Sequence, residues 1–418
     1  MPIRAYCRIP EIQKGSVRRI EGSCPELLFD LIDELKDAKR IDIATYLFNN
    51  PIYLDFLIKK AKDGTIINIT TLPISGYNDK PKKVDGLPEK TSAKEMARNA
   101  FEQIARIKNI SLRFFPHQYV WYGALYAGGG ASYSFHVKAI NAFFNNGKQK
   151  SILSSGNFLS TDPYHSDNII VFENIKRYNT VFDKFLFDLK DRSISTKNFN
   201  KKYLKYSDEF LISFNGKEKR LEKKYHKNCF FSAPFYLIDG IGSNHYAGNR
   251  IIELINGAKN RVWICAQHFH DIISFDKERA TIIKALYEKS HATIEYRFLK
   301  QVPHSSLADK RRAGIAETLF KYVLKAEQRY NRLTHDKFII IDNTLIVSTA
   351  NYTSTQFAFG KRKMDFVNDK KEKFRKIDNF SEVNGFAIIP NCPKSVLNKY
   401  EQHFNALWSS GADIEINL

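Results

Sequence analysis

The sequence predicts an α/β protein made of two pseudo-symmetric halves, each a mixed sheet flanked by helices. The basis is an internal repeat in which an amphipathic helix leads into a strand, followed by a second helix and a second strand. The two copies lie about 220 residues apart along the chain. In order, the segments are 27–39, 41–48, 54–62 and 66–70 in the first copy, and 251–259, 262–269, 281–289 and 292–297 in the second.

Each copy then continues with a longer helix and a pair of strands. The longer helices are predicted at 92–108 and 309–328. The strand pairs are predicted at 135–144 with 151–155 and at 337–341 with 345–348. Asn145-Asn146-Gly147 joins the first pair and is typical of a hairpin turn. Asp342-Asn343-Thr344 joins the second pair at the corresponding place.

Composition sets the domain boundaries. We predict a first half at 1–189, a lysine-rich crossover at 190–228 and a second half at 229–418. A basic insertion at 360–378 interrupts the second half and contains Lys361, Arg362 and Lys363. A charge run of this kind is either a solvated face or a contact for a polyanion.

Overall composition excludes a disordered chain and favours a polyanionic partner. Hydrophobic residues make up 43% of the 418 residues and aromatic residues 13%, which is enough for a packed core. Lysine and arginine number 65 against 45 acidic residues, a formal charge of +20. Such an excess predicts binding to nucleic acid or to an anionic membrane surface.

The cysteine pattern and the hydropathy pattern indicate a cytoplasmic protein. The five cysteines are scattered and never spaced as Cys-x-x-Cys, as expected for free thiols in a reducing compartment. The first residues lack the apolar segment of a secretion signal, and no apolar run approaches the length of a spanning helix. We therefore expect no stable membrane insertion.

The chemistry is predicted from two His-x-Lys tripeptides, His136-Val137-Lys138 and His335-Asp336-Lys337. Each is followed by a strand that ends in a hydroxyl residue and an asparagine, and later by an acid. These residues are Ser155, Asn157 and Asp167 after the first tripeptide, and Thr349, Asn351 and Glu382 after the second. A single tripeptide occurs by chance, whereas the same residue types in the same order on matching strands, twice, indicate a functional site.

The arrangement fits a phosphoryl group. Alternation along a strand places His and Lys, two residues apart, on the same face, and an asparagine at the end of the adjacent strand reaches the same point. A nucleophile or base, a fixed cation and an amide donor would then surround one small anionic group. The acids Asp167 and Glu382 are expected to accept a hydrogen bond from each imidazole and to fix its tautomer.

These blocks resemble the paired HKD motifs of the phospholipase D superfamily, over 136–157 and 335–351. The resemblance implies two α/β/α halves that share one active site at their interface, so that a monomer suffices. It also implies a phosphodiesterase that works without a metal ion or other cofactor, through a covalent phosphohistidine. By motif position, the catalytic residues are His136, Lys138, Asn157, His335, Lys337 and Asn351, supported by Ser155, Asp167, Thr349, Glu382 and Asp342.

One position departs from the family pattern. The aspartate expected seven residues after the histidine is Asp342 in the second motif, whereas the first motif has Phe143. In the family this aspartate is a supporting residue and not the nucleophile, so we expect the site to tolerate the change.

The leading functional hypothesis is a nuclease, most simply an endonuclease, that acts on DNA in preference to RNA. The charge of +20 favours nucleic acid over lipid. Tyr119 and Trp121, which precede the first motif, are candidates for base stacking, and Lys361, Arg362 and Lys363 for phosphate contacts. A role in antiviral defence is expected only by analogy with nucleases of the family.

Two alternatives remain open from the sequence. One is a phospholipid hydrolase or phosphatidyl transferase at an anionic membrane, since the superfamily contains both. The other is a non-catalytic nucleic-acid-binding module, which Phe143 in place of the first-motif aspartate would suit. Release of a lipid headgroup would favour the first alternative, and tight binding without cleavage the second.

Overall fold

The structure is a computed structural model. It describes residues 1–10, 25–46, 48, 50–71, 100–115, 135–157, 165–198, 219–233, 235–270, 281–290, 293–301, 307–357, 364–367, 373–377 and 382–414.

The first half of the chain is built on one eight-stranded sheet with the strand order β1-β7-β6-β5-β2-β3-β4-β8. Its strands are β1 (Ile3–Arg8), β2 (Arg40–Thr45), β3 (Ile66–Thr71), β4 (Ile110–Phe114), β5 (Lys138–Phe143), β6 (Gln149–Ser154), β7 (Asp167–Glu173) and β8 (Ile194–Ser195). The helices of this half that lie wholly within the described residues include α1 (Pro25–Leu35), α2 (Pro51–Lys62) and α3 (Lys176–Asp191).

The second half has another eight-stranded sheet, in the order β10-β22-β18-β17-β13-β15-β16-β23. Its elements are, along the chain, β9 (Lys219–Leu221), α4 (Lys223–His226), β10 (Cys229–Ser232), β11 (Tyr236–Ile238), β12 (Ile241–Gly242), α5 (Ser243–Asn256), β13 (Arg261–Ala266), β14 (Phe269–His270), α6 (Ile282–Glu288), β15 (Glu295–Lys300), α7 (Leu307–Tyr322), β16 (Glu327–Tyr330), β17 (Lys337–Ile341), β18 (Thr344–Ser348), β19 (Tyr352–Thr353), α8 (Ser354–Phe357), β20 (Met364–Val367), β21 (Lys373–Ile377), β22 (Asn384–Ile389), α9 (Lys394–Ser409) and β23 (Ala412–Asp413). Smaller sheets join β9 with β11 and β12, β14 with β19, and β20 with β21.

The two large sheets correspond strand for strand. By position, β1 matches β10, β7 matches β22, β6 matches β18, β5 matches β17, and β2, β3 and β4 match β13, β15 and β16. Both sheets are mixed, since β2, β3 and β4 run parallel to one another while β2 and β5 are antiparallel, and the second sheet repeats this pattern. The predicted fold class, a duplicated α/β protein, is therefore confirmed.

The end of the first half differs slightly from the prediction. Helix α3 continues to Asp191, and β8 pairs with β4 at the edge of the first sheet. The sheet thus extends past residue 189 into the segment predicted as crossover. A strand of two residues has no periodicity that a sequence could reveal.

The halves share one apolar core, and the first half has a second core of its own. Along β5, Ala139 faces the shared core, whereas Ile140 faces the core beneath α1 and α2. Because both faces of the strand are covered, it lacks the polar alternation of a half-exposed strand. In the shared core the ring of Phe231 on β10 stacks on Phe185 of α3, with 3.8 Å between ring centroids.

Gly385 lies where side chains of both large sheets pack against the backbone. A Cβ atom added there would be 2.6 Å from Leu153 Cδ1 and 2.8 Å from Phe231 Cε1. Both side chains belong to the shared core, so the rings and methyl groups behind them resist displacement.

We predict that Gly385→Ala destabilises the protein by about 1–3 kcal/mol, the usual cost of overpacking. Denaturant titration would measure the loss. Gly314→Ala is the matched control, because a Cβ atom at Gly314 in α7 meets nothing within 4 Å. That control should gain about 0.5–1 kcal/mol from helix propensity. Equal stability of the two variants would contradict the close approach.

Candidate active site

The two motif histidines sit where the halves meet, and each is held by the half to which it does not belong. The backbone N–H of His136, just before β5, donates to the carbonyl of Val383 at 2.9 Å. The backbone N–H of His335, just before β17, donates to the carbonyl of Ser166 at 3.3 Å. This crosswise pairing brings both motifs to one place, as a shared site requires.

The His335 imidazole is fixed by a carboxylate of the opposite half. Its Nδ1 lies 2.8 Å from Asp167 Oδ1, which also accepts a hydrogen bond of 2.6 Å from Ser155 Oγ. The second carboxylate oxygen of Asp167 packs beside Gly156, 3.2 Å from the position of an added Cβ atom. With Nδ1 as the donor, Nε2 is the ring atom left for chemistry.

The His136 imidazole is fixed differently. Its Nδ1 lies 2.8 Å from the backbone oxygen of Thr349, again across the interface. A carbonyl can only accept, so Nδ1 carries the proton and Nε2 holds the lone pair. Both rings therefore present the same nitrogen, but a carboxylate lies behind His335 and a neutral peptide group behind His136.

The register of the sheets corrects one prediction about the acids. Ser154 pairs with Ile169 and Ser348 pairs with Phe386, so the residue that corresponds to Asp167 is Asn384. Thr349 Oγ1 donates to Asn384 Oδ1 at 3.1 Å, as Ser155 does to Asp167.

Glu382 was expected to take the place of Asp167 in the second half, but it lies two residues earlier, before β22. It accepts a hydrogen bond of 3.4 Å from Asn384 Nδ2. The order of residues along the sequence had matched Asp167 to Glu382. The strand register instead matches Asp167 to Asn384.

The lysines and asparagines of the motifs occupy equivalent, buried positions. Lys138 Nζ donates to the carbonyl of His136 at 2.7 Å, and Lys337 Nζ donates to the carbonyl of His335 in the same manner. Asn157 and Asn351 are each 8% exposed, and the buried Oδ1 atom of each has no hydrogen-bond partner among the described residues. Buried polar atoms left unsatisfied are typical of a site that a ligand completes.

The electrostatics join the two motifs into a single site. Burial, Lys138 and Lys337 hold the pKa of His136 well below its usual range. Burial, Lys337, His165 and Lys138 lower the pKa of His335 in the same way. Since each lysine acts on both histidines, a bound anion that offsets the lysine charge would raise the proton affinity of both rings.

The two acids are also perturbed by burial. Burial raises the pKa of Asp167 to about 7, against the opposing charge of Lys337. Burial raises the pKa of Glu382 to about 8, although hydrogen bonds with Asn384 and Gln356 and the charge of Lys138 favour the ionised form. Clusters of perturbed groups of this kind are characteristic of functional sites.

Asp342 stands apart from this cluster. It lies in the turn at the far end of β17 from Lys337, roughly 15 Å along the strand. Its carboxylate accepts hydrogen bonds from the backbone N–H groups of Lys259, Asn260 and Arg261 at 2.9, 2.8 and 3.1 Å. Asp342 thus ties the loop before β13 to the hairpin.

The first half fills the corresponding place with an aromatic contact. The guanidinium of Arg40, which matches Arg261, lies 4.2 Å from the ring centroid of Phe143. Replacement of the motif aspartate by Phe143 therefore changes a hairpin contact and leaves the histidines and lysines in place.

The structure adds residues that the motif analysis did not identify. The ring of His165 stacks on His335 with centroids 5.4 Å apart, and the ring of Tyr46 lies 6.2 Å from that of His136. Neither His165 nor Tyr46 belongs to the two motif blocks. The predicted nucleic-acid contacts Tyr119, Trp121, Lys361, Arg362 and Lys363 lie outside the described residues.

Two further properties concern the described part of the chain. Within it, no three His, Cys, Asp or Glu side chains come together in a way that could hold a metal ion. The described helices include none with the length and apolarity needed to cross a membrane.

We predict that Glu382→Gln stabilises the protein at neutral and alkaline pH. The carboxyl has its usual pKa of 4.5 when unfolded and about 8 when folded. Between these values the folded state binds more protons, so wild-type stability falls as pH rises. From pH 5 to pH 8, the variant should gain about 3–4 kcal/mol relative to wild type in denaturant titrations.

The exposed Glu288 on α6 provides the control, because its side chain is 55% exposed. Glu288→Gln should follow the wild-type pH dependence. Parallel pH profiles for Glu382→Gln and wild type would show that the Glu382 carboxyl is not held in its neutral form.

Comparison with known proteins supports the family resemblance. Residues 251–382, which include the second motif, match a family model described as the PLD-like domain of cardiolipin synthase. A search of curated proteins gives no match.

Among solved structures, phosphatidylserine synthase from Haemophilus influenzae Rd KW20 is similar at 12% identity and a TM-score of 0.56, over 93% of this chain and 85% of that one. Yeast tyrosyl-DNA phosphodiesterase is similar at 12% identity and a TM-score of 0.45, over 86% of each chain. Polyphosphate kinase from Porphyromonas gingivalis matches at 12% identity and a TM-score of 0.47, over 91% of this chain, which spans 47% of that protein. Residues 251–382 are thus similar to a PLD-like domain, and the chain over most of its length shares the fold of the phosphatidylserine synthase structure.

Proposed function

We propose that the protein is a metal-independent phosphodiesterase that cleaves nucleic acid through a covalent phosphohistidine. The observation that carries the proposal is the pair of motif histidines, each with Nδ1 committed across the interface to the opposite half. Both rings lie in the common field of Lys138 and Lys337. Such a site supplies a nucleophile, a general acid and cationic stabilisation for an anionic phosphorus centre.

The surroundings of the two rings support different roles for them. Asp167 behind His335 stabilises the protonated imidazole, as a carboxylate does in a catalytic triad. The peptide oxygen of Thr349 behind His136 offers less stabilisation to a charged ring. We therefore assign His136 as the nucleophile and His335 as the proton donor.

In the first step, Nε2 of His136 attacks phosphorus, the bond to the leaving oxygen breaks, and that oxygen takes a proton from Nε2 of His335. In the second step, neutral His335 removes a proton from water, whose oxygen attacks phosphorus, and the bond to His136 breaks. Lys138 and Lys337 stabilise the negative oxygens in both steps, together with the amides of Asn157 and Asn351.

Net charge supports nucleic acid as the substrate class. A charge of +20 on 418 residues favours a polyanion with many phosphates, because each phosphate neutralised releases counterions. The description of the matching family model favours a phospholipid as the second candidate. A substrate panel separates the two.

We predict cleavage of labelled single- or double-stranded DNA or RNA in excess EDTA, with no release of headgroup from anionic vesicles. Nucleic-acid cleavage should weaken steeply with salt, because binding depends on counterion release. Headgroup release without nucleic-acid cleavage would establish the lipid alternative. Binding without cleavage would indicate a non-catalytic module, and loss of cleavage in EDTA that magnesium restores would overturn the mechanism.

A second prediction tests the shared site. His136→Asn and His335→Asn should each lose at least about 10³-fold in kcat, since the two rings act as a unit. His335→Asn should still form a phosphohistidine with a substrate whose leaving group needs no proton, such as a p-nitrophenyl ester, whereas His136→Asn should not.

Mixing the two inactive variants should restore no activity, because the halves pair within one chain and every molecule lacks one histidine. Recovery on mixing would show that the site forms between chains. Trapping of the phosphoenzyme with His136→Asn would reverse the two assignments.

A further inference from the structure

The residue between His335 and Lys337 is Asp336, whose side chain points to the opposite side of the strand. It is fully buried and accepts three hydrogen bonds. The donors are Ser166 Oγ at 2.5 Å, Asn168 Nδ2 at 2.6 Å and His403 Nε2 at 2.9 Å. A carboxylate with three donors at such distances is well stabilised even without water.

These contacts reach the catalytic pair directly. Ser166 and Asn168 flank Asp167, the partner of the His335 imidazole. Asn168 also accepts from Tyr400 OH at 3.0 Å, and its backbone N–H donates to Ser155 Oγ at 2.9 Å. We call the group of Asp336, Ser166, Asn168, Tyr400 and His403 the Asp336 junction.

The first motif has an apolar cluster at the corresponding place. Val137 matches Asp336, and the sheet register matches Gly385 to Asn168. Alignment of α9 on α3 from their first residues places Phe182 and Phe185 opposite Tyr400 and His403. Val137, Phe182 and Phe185 belong to the shared apolar core. Gly385 packs against side chains of that core.

This comparison shows that the fold does not need a polar junction. The first motif strand is held at the same place by aromatic packing, in which Phe185 stacks on Phe231. A buried charge with its partners is often no more stabilising than apolar residues of similar volume. Because only the second motif has this polar group, we infer that the group acts on the chemistry of His335 and not only on folding.

We propose that Asp336, held by His403, is a positioning residue that fixes Asp167 against His335 and places a second negative charge behind that imidazole, so that His335 keeps the catalytic proton. The proposal rests on the proposed function and assigns the origin of the difference between the two histidines. Nothing in the motif pattern requires an acid at this position.

The local charges agree with this role. Asp336 raises the pKa of both Asp167 and His335. Although burial opposes ionisation, the charge of His403 and the hydrogen bonds from His403, Asn168 and Ser166 lower the pKa of Asp336 below its usual value. The other titratable groups that act on these residues are Lys138, Lys337 and His165 at the site, and Cys7, Cys265 and Tyr400 around Asp336.

The test uses Asp336→Asn, which keeps the shape of the side chain and removes its charge. We expect kcat on the cleaved substrate to fall about 10–100-fold with little change in KM, as for other residues that orient a catalytic group. Removal of a negative charge lowers the proton affinity of the Asp167–His335 pair. The alkaline limb of the kcat profile should therefore move to lower pH, by about half a unit to one unit.

Tyr178→Phe is the matched control, because Tyr178 OH donates to the carbonyl of Ile388 at 2.8 Å across the same interface. It removes one buried hydrogen bond between the halves without touching the Asp336 junction, and its kcat profile should equal that of wild type. His403→Gln, which retains a donor to Asp336, should preserve more activity than His403→Phe, which copies the first half. An Asp336→Asn profile identical to that of Tyr178→Phe would overturn the proposal.

A readout independent of turnover separates this proposal from the proposed function. In protein labelled with ¹⁵N-histidine, His335→Gln identifies the His335 signals, and the pH titration of that ring reports its proton affinity. Asp336→Asn, or His403→Phe if the first variant does not fold, should lower the titration midpoint of His335. An unchanged midpoint would refute the junction even if the enzyme is active. A shifted midpoint without phosphodiesterase activity in wild type would support the junction and refute the function.

Discussion

The structure depends on the crosswise pairing of the two halves at their motif strands. Isolated parallel bridges join Phe135 to Val383 and Ser166 to Thr334, one on each side of the pseudo-symmetry axis. Each bridge places a histidine of one half against the residues that orient its ring in the other. Because neither half supplies the partner of its own imidazole, the site exists only when the shared core has formed.

The two halves share a backbone fold but differ in the side chains around the two histidines. Three of the matching positions that differ between the halves have an aspartate in one half only: Asp167 matches Asn384, Asp336 matches Val137, and Asp342 matches Phe143. The first two pairs lie behind the imidazoles, where they set the charge that each ring experiences. In the proposed reaction one nitrogen attacks while the other donates a proton, and such a difference favours that division of roles before substrate binds, whereas backbone symmetry alone would leave the rings equivalent.

The buried polar groups of the site lower the stability of the folded protein. Glu382 and Asp167 are buried acids whose pKa values of about 8 and about 7 show the cost of ionising them. Asn157 and Asn351 bury amide oxygens that find no partner among the described residues. The surrounding apolar core, with its stacked aromatic rings, offsets these costs and holds the polar groups in fixed positions.

The sequence by itself determined the duplication and the motif residues, because helix and strand periodicity and the order of His, Lys and Asn are local properties. It could not reveal that Asn384, and not Glu382, matches Asp167, since that depends on strand register. Nor could it place Asp342 away from the site, or bring His165 and His403 to it from loops and helices distant in the chain. These positions were decided only by tertiary structure, because the partner of each group lies far away along the chain, in the same half or in the other, and is reached through packing, which no local pattern records.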